Sequence, residues 1–366
     1  MLSSFRSLFA GTPMQRNNEP RAALKAGAPK EPDYWQGTLT IAEIIQETDE
    51  IKTFRLIAPD APMPFDFLPG QYVDLELDIN GKRLHRSYSI SSSAFEKRYI
   101  DLTIKRERHG LASRFLCDRA KVGDTLKARG PFGQFVFTGD KAREVIVAGA
   151  GVGVTPLVSM IRSLRDKQWE GEVFALFGFR RESDSLFLGE LNDLNAGSKN
   201  FHLKLTWSQP EHSETASRGR VDAASLLNFA SKPKSTAIFI CGPNAMMDQM
   251  CDELTDAGVP ERNLYFEAFA PPPKDLSKGG VFDIIFQPSG VTATSEPGEN
   301  VLETAERAGV EFDYSCRNGT CGLCQATLTA GEVELVIDDA LEEEDIENGV
   351  ILTCQSFPRK NCAISL

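Results

Sequence analysis

The sequence predicts a multi-domain chain in which an antiparallel β-barrel precedes a doubly wound parallel α/β domain and a small third domain. Three observations predict it. Residues 35–139 run in short strand-like stretches, such as Gln71 to Leu77 and Tyr99 to Lys105, separated by Pro, Gly or Asp, as antiparallel strands and turns do. From 140 to 270, the apolar runs beginning at Val145, Val173, Leu203, Ala237 and Leu264 alternate with helix-period segments, which predicts an open parallel sheet. Then Pro271-Pro272-Pro273 through Gly279-Gly280 makes a stiff, then flexible linker over 271–280.

The third domain, 281–366, opens with two strands, continues with a helix around Val301 to Ala308, and carries a cysteine loop. A chain of 366 residues that is 41% hydrophobic has material for two or three separate cores. The longest near-continuous apolar stretch, Val145 to Val154, contains three glycines and is far shorter than the roughly 18 residues of a membrane-spanning helix. Residues 1–34 carry Arg6, Arg16, Arg21, Lys25 and Lys30, few acids and no long apolar period. They read as a disordered leader, or alternatively as an organelle-targeting segment.

The net charge is -12, and residues 281–366 hold 16 of the 52 acids but only 4 of the 40 bases, leaving 36 of each elsewhere. The whole excess of negative charge lies on the third domain. That argues against nucleic-acid binding there and for a surface that meets a basic partner, solubility alone being the plain alternative. Of eight cysteines, Cys117, Cys241, Cys251 and Cys362 are scattered without a disulfide framework. That usage fits a reducing compartment, the cytoplasm or an organelle matrix if the leader is a targeting segment.

The other four cysteines carry the strongest chemical signal. Cys316-x4-Cys321-x2-Cys324, followed by Cys354, is the thiolate spacing of plant-type 2Fe-2S ligation. Gly319 and Gly322 let backbone amides approach cluster sulfurs. A structural zinc site usually brings two closely spaced cysteine pairs, and only one is present. The domain resembles a plant-type ferredoxin along its whole length, which implies a β-grasp fold.

Two further constellations lie upstream. Arg86-Ser-Tyr88-Ser89-Ile-Ser-Ser92 ends a strand, Lys105 follows, and Gly110-Leu-Ala112-Ser113 opens a helix over Ser113 to Cys117. An arginine answers a phosphate, a tyrosine ring can lie on an isoalloxazine, and amides at a helix start make an anion site. Read alone, the first motif is also an ordinary strand with a surface arginine. Gly149-Ala-Gly151-Val-Gly153-Val-Thr155-Pro156 lies between a buried strand and a helix, with Thr155 expected as its cap and Pro156 in its first turn. This glycine cluster is either a tight turn or a pyrophosphate cradle. Cys241-Gly242-Pro243 ends the fourth sheet strand and Glu267, with Phe269 beyond it, ends the fifth, at the edge where open α/β sheets bind ligands. In isolation, Cys241 reads as core and Glu267 as a surface charge.

In this order the elements from about 36 to 366 resemble the ferredoxin-NADP reductase superfamily, and specifically the reductase components of Rieske-type oxygenases. The resemblance implies that Arg86, Tyr88 and Ser89 hold a flavin and that Gly110 to Ser113, with Lys105 nearby, meet its phosphates. It also implies that Gly149 to Thr155 and Cys241 to Pro243 hold a nicotinamide nucleotide. Ser89, Cys241 and Glu267 would flank the site of hydride transfer, and Phe269 would shield the flavin. FAD is favoured over FMN by the Ser91-Ser92 continuation. Arg180 and Arg181 suit the 2'-phosphate of NADPH, whereas Gln209 stands where NADPH-using relatives place an arginine, so NADH is favoured. The implied acceptor is a terminal oxygenase docking near the acidic third domain. A haem monooxygenase, desaturase or hybrid-cluster acceptor, or a zinc-bearing interaction module fused to a flavoprotein, are the alternatives.

Overall fold

In the computed structural model, six strands, β1 (Trp35–Thr48), β2 (Ile51–Ile57), β3 (Tyr72–Ile79), β4 (Lys82–Ser89), β5 (Ile100–Lys105) and β6 (Thr125–Phe132), form one sheet in the order β4-β3-β6-β1-β2-β5. The structure describes residues 34–365 except 80, 109, 141, 212–217, 270–279, 315, 320 and 339. The leader expected over 1–34 and the linker expected over 271–280 therefore lie almost entirely outside the described residues. Val73, Leu75 and Leu77 of β3 and Ile100, Leu102 and Ile104 of β5 alternate along their strands and are all buried, as a period of two allows. Just past β4, Ile90 bridges Leu102 of β5, which brings the two edge strands together and curls the sheet toward a barrel. Helix α1 (Leu111–Arg119) follows β5. It starts two residues before the expected Ser113, so Ala112 and Ser113 lie within its first turn.

The five predicted strands of the next domain all form: β7 (Glu144–Ala150), β8 (Glu172–Phe179), β9 (Phe201–Trp207), β10 (Ala237–Cys241) and β11 (Leu264–Glu267). They run in the order β11-β10-β7-β8-β9 with parallel neighbours. The helices between them are α2 (Val154–Asp166), α3 (Leu188–Gly197), α4 (Ala223–Phe229) and α5 (Asn244–Asp256). Val145, Val147 and Phe177 face one core with α2, while Ile146, Ala148 and Ile240 face another with Met247 and Leu254 of α5. Strand order reverses between β7 and β10, which opens a crevice at their carboxyl ends. Phe135 and Phe137, from the segment leaving β6, stack edge-on against Phe239 at 5.3 and 5.5 Å. Barrel and α/β sheet thus share a core and belong to one compact unit, Gln36–Pro272.

The described part of 280–365 belongs to a second unit. Strands β12 (Asp283–Gln287), β13 (Val291–Thr294), β14 (Gln325–Ala330), β16 (Val350–Leu352) and β18 (Cys362–Ser365) form a sheet ordered β13-β12-β18-β14-β16. β12 and β18 are parallel and the other pairs antiparallel. β15 (Val333–Leu335) and β17 (Ser356–Pro358) pair separately. Helix α6 (Val301–Arg307) lays Val301 and Ala305 on Ile284, Phe286 and Ile364, giving the helix-on-mixed-sheet arrangement of a β-grasp. Its start is sharply defined, because Asn300 accepts from the Glu303 N–H at 2.9 Å and the Glu303 carboxylate accepts from the Asn300 N–H. An acidic run, Glu342 to Asp345, opens a short helix, α7 (Glu343–Glu347).

Candidate functional site

The register of the parallel sheet builds the crevice. Cys241 pairs with Gly149 of β7 on one side and Glu267 of β11 on the other, so three strand ends finish level. Ser89, at the end of β4, donates to the Glu267 carboxylate at 3.5 Å across 178 residues of chain. The three residues assigned to the hydride-transfer site therefore converge from the barrel and two sheet strands. The Cys241 thiol is wholly buried, and burial, assisted by the Glu267 charge, pushes its pKa well above the ordinary thiol value. It sits there as a neutral SH group, without the activation a nucleophilic cysteine needs.

The glycines divide by role. A Cβ on Gly153 would meet the Cys241 carbonyl oxygen at 2.5 Å, and one on Gly149 would meet the Leu157 side chain at 2.8 Å, so both positions serve close packing. Gly151 has φ +57 with nothing within 4 Å of its Cβ position, leaving room for a ligand at the turn. Thr155 does not cap α2: Gly153 is the N-cap, and the Thr155 hydroxyl donates back to the Val152 carbonyl at 2.9 Å. The reason is that α2 starts at Val154, placing Thr155 inside the helix. Pro156 lies in its first turn as expected. Neither α2 nor α5, which begins after Gly242 and Pro243, has a side-chain cap. Two helix starts thus flank the crevice, the setting in which backbone N–H groups and helix dipoles meet phosphate.

On the barrel side, Arg86 is exposed and its guanidinium donates to the His85 carbonyl at 2.6 Å. Burial raises the Tyr88 phenol, which stays neutral. Helix α1 also lacks a side-chain cap and follows Gly110. Ser113 turns back onto the entering loop, its Oγ accepting from the Glu107 N–H at 3.2 Å, and this crowding is why Gly110 carries no Cβ. Lys105 pairs with Glu107 at 3.0 Å. Arg180 and Gln209, whose sequence signals opposed each other, are joined: Arg180 Nε donates to Gln209 Oε1 at 2.9 Å. Arg181 lies beside them after β8, and Phe269 is 49% exposed past β11. An open turn at Gly151, uncapped helix starts and the strand-end hydroxyl of Ser89 make this crevice fit a flavin and a nicotinamide nucleotide.

In the third domain the four cysteines approach in pairs. Cys324 and Cys354 are buried with their sulfurs 3.3 Å apart, Cys321 hydrogen-bonds to Cys316, and Cys316 and Cys321 both lie within electrostatic reach of Cys354. Among the described residues, no three His, Cys, Asp or Glu side chains close on one point as a single metal ion requires. Two thiol pairs suit a cluster whose two irons each take two ligands. Gly319 at φ +84 and Gly322 at φ +72 occupy left-handed backbone around these cysteines.

Two polar arrangements escaped sequence reading. Asp74, wholly buried on β3, accepts from Arg129 Nε and pairs with His85 Nδ1, both at 2.9 Å; it is one of three acids alternating along the strand with Glu76 and Asp78, and nothing in the sequence set it apart from them. Ser159, Arg162 and Ser163 of α2 bond to the segment after Ser89, signalled only by polar residues at helical spacing.

Comparison with known proteins agrees with this division of the chain. Residues 38–137 match an oxidoreductase FAD-binding domain, 147–252 an oxidoreductase NAD-binding domain, and 284–359 a 2Fe-2S iron-sulfur cluster binding domain. A glycine betaine monooxygenase reductase subunit of Pseudomonas aeruginosa is 31% identical over 341 residues, 88% of this chain and 93% of that protein. The ferredoxin reductase component of a Mycobacterium tuberculosis 3-ketosteroid-9-alpha-monooxygenase is 30% identical over 342 residues, again 88% of this chain and 93% of the relative. The solved structure of phthalate dioxygenase reductase, 24% identical, aligns with a TM-score of 0.61 over 90% of this chain and 98% of its own. No described helix is long and apolar enough to cross a membrane.

Proposed function

The chain belongs to the family of FAD- and NAD-dependent reductases with a C-terminal 2Fe-2S domain, and on that premise we propose that it delivers electrons from NADH to a Rieske-type terminal oxygenase. It is an NAD(P)H-dependent oxidoreductase whose cofactors are FAD, NADH and a 2Fe-2S cluster. These supply the redox chemistry: a hydride from the nicotinamide, division of its two electrons at the flavin, and one-electron transfer at the cluster.

The protein's contribution is to bind and orient. Arg86, Tyr88 and Ser89 hold the flavin, and the start of α1 from Gly110 to Ser113, with Lys105 nearby, receives its phosphates. The turn Gly149 to Thr155 and the segment Cys241 to Pro243 receive the nicotinamide nucleotide, with Arg180 and Arg181 toward its adenosine end. Ser89, Glu267 and Cys241 line the meeting place of the two rings, Phe269 covers the flavin, and no general base is needed. Cys316, Cys321, Cys324 and Cys354 hold the cluster, and the acidic surface around α7 docks a basic partner. The observation that carries this reading is the Ser89–Glu267 contact, which joins the barrel to the nicotinamide crevice beside Cys241.

The test separates the two halves of the path. Changing Cys321 to Ser, or ending the chain near Lys278, is expected to keep NADH-driven reduction of a small dye while abolishing most transfer to a protein acceptor. A truncated protein that retains flavin and reduces the protein acceptor as fast as the full chain would refute the cluster as the exit.

A further inference from the structure

We propose that Ser159, Arg162 and Ser163 of α2 form an interdomain latch that sets the distance between flavin and nicotinamide, which makes Arg162 a positioning residue for hydride transfer. The proposal rests on the cofactor assignment above. Three bonds run from one face of the helix to one short segment. The Ser159 hydroxyl donates to the Ser92 carbonyl at 2.8 Å, Arg162 Nη1 donates to the Ser91 carbonyl at 2.7 Å, and the Ala94 N–H donates to Ser163 Oγ at 2.9 Å. Spacings of three and four residues place these side chains together on a helix. Ser159 and Ser163 are buried, so their bonds are shielded from competing water.

What the latch connects gives it a role beyond adhesion. Ser91 is two residues past Ser89, the strand end nearest the predicted flavin ring, and α2 begins directly after the glycine turn assigned to the nucleotide. The segment is also fixed from the barrel side, where the Ser91 N–H donates to the Asp101 carbonyl at 2.8 Å and Ser91 Oγ lies 2.9 Å from Thr103 Oγ1. Held from both sides, it ties the position of β4 to that of α2. Arg162 is itself immobilised: Nε and Nη2 grip the Glu190 carboxylate at 3.1 and 2.5 Å, and its guanidinium lies 4.6 Å over the Phe187 ring. A flexible cation would tether the segment, whereas this clamped one fixes it in place.

The experiment uses the loaded full chain mixed anaerobically with NADH, reading flavin bleaching at saturating NADH, the NADH dissociation constant, and the isotope effect with NADH deuterated at C4. Arg162→Met is expected to slow the saturated rate at least about ten-fold, since displacements on the order of 1 Å cost up to about a hundred-fold. NADH affinity should stay within about two-fold, FAD and cluster content should be unchanged, and the isotope effect should rise as hydride transfer becomes rate-limiting. Arg162→Lys, which keeps the charge and one donor nitrogen but loses the fork, should recover part of the rate, and Ser159→Ala should slow it by a smaller factor. A saturated rate within two-fold of wild type in Arg162→Met, or a loss that only tracks released FAD, would overturn the latch. If Arg162→Met does not fold, an unchanged rate and isotope effect in Ser159→Ala overturns it alone. A wild-type protein whose flavin NADH cannot bleach would instead sink the cofactor assignment.

Discussion

Replacing Gly153 with alanine tests how closely the turn after β7, proposed to receive the nucleotide, is packed on the sheet. The new Cβ would lie 2.5 Å from the Cys241 carbonyl oxygen, 2.6 Å from its carbon and 2.7 Å from Gly242 Cα. All three are backbone atoms and cannot rotate away. Ordinary contact begins at 3.4 Å, so the turn after β7 and the end of β10 must separate by about 0.9 Å, the difference between 3.4 and 2.5 Å. Gly153 has φ -62 and ψ -9, which alanine adopts freely, so the perturbation is steric. Overpacking of this kind costs about 1–3 kcal/mol of stability. A shift of nearly 1 Å beside the proposed hydride-transfer site is expected to slow flavin reduction by roughly ten- to a hundred-fold. The comparison is Gly149→Ala, where the nearest atom is the movable end of the Leu157 side chain at 2.8 Å and the Cys241 oxygen is 3.1 Å away, and a milder loss is expected. Anaerobic stopped-flow bleaching at saturating NADH, with FAD content and Tm measured on the same samples, ranks the two variants. Wild-type bleaching by Gly153→Ala, or a larger defect in Gly149→Ala, would refute the reasoning.

Cys241→Ala should slow flavin bleaching while leaving FAD bound and the cluster spectrum intact; an unchanged rate would return Cys241 to a packing role. Because burial holds this thiol well above its ordinary pKa, the wild-type bleaching rate should show no thiol ionisation step between about pH 6 and 9. Raising the salt from about 50 to about 500 mM should slow transfer to the protein acceptor more than NADH-to-flavin transfer, and equal slowing would count against docking on the acidic domain. Glu299 accepts from Arg307 at 3.1 and 2.8 Å, and these bonds hold its pKa below the ordinary carboxylate value. A pKa depressed in the folded state adds stability that is present above the unfolded value, about 4.3, and is lost as pH falls through the folded one. Glu299→Gln should therefore lower the Tm of the cluster domain at pH 7, with the gap to wild type shrinking below about pH 4; a gap that persists there would show that the charge is not its source.

Elements with a local signature were legible in the sequence. The five apolar runs from Val145 to Phe266 became five parallel strands because a fully buried strand needs a continuous apolar run, and the cysteine spacing announced the cluster because ligation geometry restricts it. Helix starts were less legible. Thr155 suits a cap by type, yet the tightness of the turn at Gly151 to Gly153 placed the helix start at Val154, and α1 likewise began at Leu111 before the expected serine.

By itself the sequence determined which segments are strands and helices, where the glycine turns and cysteine loop lie, and which side chains have chemistry to offer. Tertiary structure alone decided that Ser89 meets Glu267 across 178 residues, that Gly153 must admit the Cys241 carbonyl, and that Ser159, Arg162 and Ser163 grip the exit of β4. The physical reason is one of range. Periodicity and turn chemistry act within a few residues and leave a mark in a single chain segment. Register, close packing and bonds between domains depend on pairs of distant segments, and neither member of such a pair carries the other's address.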